Sequence, residues 1–191
     1  MKTIYVFLSR TGTQYSQLIH MATGDAYTHA ALALDERLKE MYSFCRRYAH
    51  LPWPAGFERE HLCSGVYGSH PEAPCAVYAA QLADADYDRL CAKLRGRMEE
   101  KWAHGYNLLG ALAIGVGRMH VSAHGRMFCS EFVAGALKDS GAAVLERPAA
   151  QYRPSELAAL PELKCVYRGN IGQLQAQKPQ IDSSFSGVWQ A

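Results

Sequence analysis

The chain has 191 residues, enough for one well-packed domain and too short for two full ones. Hydrophobic residues make up 49% and charged residues 20%, which supports a sizeable core, and Lys and Arg exceed Asp and Glu only slightly, for a net charge of +2. That balance excludes a dedicated nucleic-acid binder, which needs a concentrated positive face, and no stretch approaches the roughly 20 apolar residues that cross a bilayer. Residues Met1 to Arg10 are too short and too quickly polar for a signal peptide, so the expected compartment is the cytoplasm. The six cysteines (Cys45, Cys63, Cys75, Cys91, Cys129 and Cys165) have no paired spacing and are expected to be thiols.

Lys2–Ser9, rich in β-branched and aromatic residues, predicts a central strand. Arg10–Gly24 predicts a polar turn and a short helix. Thr28–Leu34 reads as a second strand and Glu40–Arg46 as a third, the two separated by hairpin spacing. Pro52, Trp53, Pro54, Ala55 and Gly56 impose an irregular loop. His61–Tyr67 and Cys75–Gln81 are predicted strands. Asp84 or Asp86 caps the clearest helix, in which Tyr87, Leu90, Leu94 and Met98 fall at helical spacing. Tyr106–Gly117 is apolar and glycine-rich, the composition of a buried or lid-like segment. Arg126–Leu137 predicts a helix stopped by Lys138 to Gly141. Pro154 to Glu156 opens another, and Lys164–Arg168 makes a last strand. The expected architecture is α+β, an antiparallel sheet packed against helices, in one domain over 1–172 with a loosely held tail over 173–191.

The candidate nucleophile is Cys129, in Phe128-Cys129-Ser130-Glu131-Phe132-Val133. A cysteine at the first turn of a helix faces unpaired N–H groups and the positive helix end, both of which favour thiolate over thiol. The same N–H groups suit a developing oxyanion. A cysteine nucleophile needs a base, and His29 is the best placed of eight histidines because it opens a strand whose edge can face a helix end. A third group orients the imidazole, and the strand after His29 offers Ser43 and Glu40. Tyr27 stands next to the base as an aid to oxyanion binding. Arg46 and Arg47 are candidates for an anionic substrate group.

The combination of Thr28-His29 opening a strand, the Tyr42-Ser43-Phe44 strand, and Phe128 to Val133 opening a late helix resembles the circularly permuted NlpC/P60-like cysteine hydrolases of the papain-like superfamily. The stretches Gly24 to His29, Ser43 to Arg46, and Tyr152 to Leu157 are similar to an uncharacterised bacterial subfamily of that group. The resemblance implies a permuted papain-like fold, a thiol nucleophile at Cys129, a base at His29, and action on an amide, ester or thioester of a small peptide or acyl substrate. Ser43 stands where that family commonly has a carboxylate, asparagine or second histidine. The reading implies no cofactor and no metal, and leaves the oligomeric state open. The alternative is a non-catalytic binding or structural protein on the same scaffold.

Two rival readings remain. Val6–Ser9 followed by Arg10 to Ser16 is a strand and a Thr/Ser/Gly turn of the kind that holds a flavin phosphate, yet the strands that follow lie at hairpin spacing rather than around a crossover helix. His61, Cys63, His70 and Cys75, or His120, His124 and Cys129, form loose clusters for zinc without tight hooks.

Overall fold

The computed structural model describes residues 1–46, 55–99, 105–106 and 126–177. Its strands are β1 (Lys2–Ser9), β2 (His29–Ala33), β3 (Met41–Arg46), β4 (Ala55–Glu60), β5 (Pro74–Leu82), β6 (Gly105–Tyr106), β7 (Arg126–Met127) and β8 (Lys164–Asn170). Its helices are α1 (Gln14–Thr23), α2 (Gly65–Ser69), α3 (Asp84–Glu99), α4 (Cys129–Asp139), α5 (Pro154–Leu157) and α6 (Ile171–Gln177), with a 3-10 turn at Ala149–Gln151. The strands form one sheet in the order β7-β6-β4-β3-β2-β1-β5-β8. From β4 to β8 every pairing is antiparallel, and only the two-residue strands β6 and β7 run parallel.

β1 lies at the middle of the sheet because both of its faces are apolar. Ile4, Val6 and Leu8 enter one core, with Ala30, Leu32, Phe44, Phe57 and the buried residues of α3 and α4. Phe7 enters the other, with Ala31, Ala33, Met41, Tyr67 of α2, and Ile171 and Leu174 of α6. Alternation along β1 thus sorts its side chains between two helical layers. The α+β class and antiparallel sheet predicted from the sequence are present.

Local chemistry accounts for the helix ends. Thr13 caps α1 by accepting from the Ser16 amide at 3.3 Å, and Gly24, at φ 69°, closes it in the left-handed conformation. Three expectations change. His61–Tyr67 is not a strand: Gly65 takes φ 58°, outside strand geometry, and the chain turns into α2. Ala55–Glu60, read partly as an irregular loop, is instead β4, paired along its length with β3. The tail opens with α6, whose Ile171 and Leu174 are fully buried. Residues 178–191, the Trp53 loop, most of Tyr106–Gly117, Arg47, His120 and His124 lie outside the described residues. Among the described residues no helix is long and apolar enough to cross a membrane.

Candidate functional site

Cys129 is the first residue of α4, and 6% of it is exposed. Phe128 precedes it in an extended conformation and offers no side-chain cap, while the Glu131 carboxylate accepts from the Phe128 amide at 3.3 Å. The amides of the first turn have no partner inside a helix by construction, so they point outward around the thiol. Phe132 and Val133 anchor the helix on the sheet. The Phe132 ring lies 5.8 Å from Phe44 and 5.1 Å from Phe57, a three-ring contact that holds α4 over β3 and β4.

His29 opens β2, near enough to Cys129 for the thiol side chain to raise the pKa of its ring. Its Nε2 lies 3.1 Å from Oε1 and 3.2 Å from Oε2 of Glu60. The ladder between β2 and β3 consists of Leu32–Tyr42 and Ala33–Met41 and stops short of His29 and Ser43.

Glu60 ends β4 and gathers donors. Besides His29 it accepts from Ser43 Oγ at 2.7 Å and Tyr67 Oη at 2.5 Å. Burial works most strongly against its charge, but His29, Tyr67 and Ser43 outweigh that and bring its pKa down to about 2. Burial likewise opposes charge on His29. The Glu60 carboxylate and then Cys129 overcome it, and the imidazole is held well above its usual value of 6.5. Burial, with Glu60 adding to it, pushes the Cys45 thiol well up.

The structure brings His29, Cys129 and Ser43 into one cluster, with Ser43 behind the carboxylate. The partner that touches the ring is Glu60, two strands along from β2, which the sequence reading passed over. Glu40 instead meets the Tyr42 hydroxyl and Arg59. Tyr27 is turned elsewhere. Its amide donates to Ser155 Oγ at 2.9 Å, and its hydroxyl lies in the field of Arg168 and Tyr78. A signal for Glu60 existed in Phe57-Glu58-Arg59-Glu60, whose alternation is that of a strand with both glutamates on the Ser43 face.

The fold is similar to that of a solved structure, the metalloprotein yiiX from Escherichia coli O157:H7, DUF1105. The TM-score is 0.52 at 15% identity, over 87% of this chain and 97% of that one. No family model matches the chain, and no curated protein matches it. These findings correct the NlpC/P60 resemblance. It rested on short motifs around Thr28-His29, Ser43 and Cys129, and the likeness the whole chain shows is to a DUF1105 protein, at an identity that carries fold alone.

That neighbour is described as a metalloprotein, which invites a test of the donors here. Among the described residues no group of three or more His, Cys, Asp or Glu is placed to hold a metal ion. His61 Nδ1 is engaged with the Lys39 carbonyl at 2.9 Å, His70 with Glu72, and Cys75 is buried in β5, so the loose cluster around them does not close either. The residues present do not fit a metal centre at this site.

Proposed function

We propose that the protein is a thiol hydrolase that cleaves an acyl bond (amide, ester or thioester), with Cys129 as nucleophile, His29 as base and acid, and Glu60 as the group that orients the imidazole. The observation that supports this reading is the His29 imidazole held by the Glu60 carboxylate at 3.1 Å, with Cys129 at the start of α4 near enough to act on the same ring.

His29 takes the Cys129 thiol proton, and Glu60 balances the charge this puts on the imidazole. The Cys129 thiolate attacks the acyl carbon, and the first-turn amides of α4 receive the oxyanion. As the tetrahedral adduct collapses, His29 protonates the leaving amine, alcohol or thiol, which departs and leaves an acyl-thioester on Cys129. His29, now neutral, takes a proton from water. The hydroxide so formed displaces the thiolate, releasing the acid and leaving the proton on the imidazole. Glu60 stays ionised throughout, because its own donors keep it so.

The test is site-resolved alkylation with iodoacetamide, read by mass spectrometry. Cys129 is expected to react much faster than the other five cysteines, and His29→Ala to remove the advantage. Equal rates at Cys129 and at exposed Cys63 and Cys165 would sink the reading. Incubation with mixed peptides, esters and acyl-thioesters is expected to leave an acyl adduct on Cys129 alone.

A further inference from the structure

The backbone ladder that places His29 ends at that residue. The last pair between β1 and β2 is Ser9–His29, followed by one bond from the Thr28 amide to the Ser9 carbonyl at 3.0 Å. Tyr27, next upstream, is held by a side chain in place of a strand. Its amide donates to Ser155 Oγ at 2.9 Å, and the same hydroxyl donates to the Tyr27 carbonyl at 3.3 Å. One hydroxyl thus serves both backbone groups of a residue that is only 9% exposed, where unpaired groups are costly. Arg153 adds an ion pair with Asp25 at 3.4 Å, so Arg153-Pro154-Ser155 and Asp25-Ala26-Tyr27 meet across 128 positions of chain.

The stretch that carries Ser155 is itself built onto α4. Tyr152 and Leu157 are buried in the core that Phe132, Val133 and Leu137 of α4 enter. α4 packs on the 3-10 turn and on α5, and Gly135 faces Ala149. Within the stretch the Arg153 amide donates to the Glu156 carboxylate at 2.8 Å, Arg147 pairs with the same carboxylate at 2.7 Å, and the Arg147 guanidinium lies 4.4 Å from the Tyr152 ring centroid. Residues 147–157 therefore touch the helix that opens with Cys129 on one side and the segment that leads into His29 on the other. Tyr27 stands two residues, about 7 Å of extended chain, before His29, so a shift of the one is passed to the other.

We propose that Ser155 is a positioning residue: by holding both backbone groups of Tyr27 against the body that carries α4, it sets where the His29 imidazole stands relative to the Cys129 thiol. The consequence for chemistry rests on the thiol-hydrolase reading, and the placement of the ring does not.

The test uses the full chain and two variants, Ser155→Ala, which removes the hydroxyl, and Ser155→Thr, which keeps it. Two quantities are read: the rate of Cys129 alkylation by iodoacetamide relative to exposed Cys63 in the same molecule, and the ring nitrogen signals of His29 by NMR. In Ser155→Ala the relative rate is expected to fall about tenfold or more, as a misplaced base implies, and the ring signals to move. Ser155→Thr is expected to restore both. Ring signals that stay in place in folded Ser155→Ala overturn the proposal whatever the labelling does, and so does a Ser155→Thr variant as impaired as Ser155→Ala. Should Ser155→Ala not fold, Asp25→Asn loosens the same junction through Arg153 and leaves Ser155 in place: ring signals that move uphold the proposal, and unmoved ones overturn it. Unmodified protein in which Cys129 labels no faster than Cys63 brings down the hydrolase reading, and the ring signals alone then decide the role of Ser155.

Discussion

Glu60 keeps its charge in a setting that would ordinarily remove it, because three partners, His29, Ser43 and Tyr67, hydrogen-bond its carboxylate. This has a consequence for stability against pH. Glu60 ionises at about 2 in the folded chain against an ordinary 4.5, so its contribution is present above 4.5 and is lost as pH falls toward 2. His29 is raised above 6.5, so its contribution is full below 6.5 and is lost as pH rises through the folded value. The urea midpoint is therefore expected to be highest between these two ordinary values and to fall on both sides. In Glu60→Gln both limbs should flatten, and identical limbs in the variant would contradict the pairing. The same substitution offers the ring an amide in place of a pure acceptor. If the proposed chemistry holds, turnover should drop about 10²-fold or more, measured as kcat/KM.

The geometry of the candidate site is set by how whole elements are fastened. α4 presents Cys129 at its first turn because Phe132, one turn on, is wedged against Phe44 and Phe57. Phe132→Ala should cost about 3–5 kcal/mol in chemical denaturation, and the selective alkylation of Cys129 should fall in the fraction that stays folded. Retention of full selectivity would show that the helix is aimed by something else. β4 and α2 supply the carboxylate side: one ends in Glu60, the other lifts Tyr67 onto it. Gln175 of α6 ties that turn to the C-terminal helix by donating to the Leu62 carbonyl at 2.7 Å. These elements were the least legible. Glu-Arg-Glu reads as a solvated run, and His61–Tyr67 has the β-branched and aromatic composition of a strand until Gly65 is seen to turn it. By contrast β1, β2, β3, α3 and α4 carry strong local signals, apolar alternation or helical spacing with clear ends, and fold close to where those signals lie.

At the scale of the molecule, two helical layers cover one sheet, and all six cysteines are free, with Cys75 buried and its thiol pushed up to about 12 by that burial. Addition of a reductant is therefore expected to leave the thermal midpoint of freshly prepared protein unchanged, and a drop of several degrees would reveal a crosslink that the fold does not contain. The class of fold, the place of Cys129 at a helix start and that of His29 at a strand opening follow from the sequence alone, because helix ends and strand openings are written in neighbouring residues. What only the tertiary structure decided is the company these residues keep. Glu60 reaches the imidazole from 31 positions away along the chain, Ser43 serves the carboxylate and not the ring, and Tyr27 is held by Ser155. Such meetings depend on strand order and on where a ladder ends, which are properties of long-range pairing that no local pattern encodes.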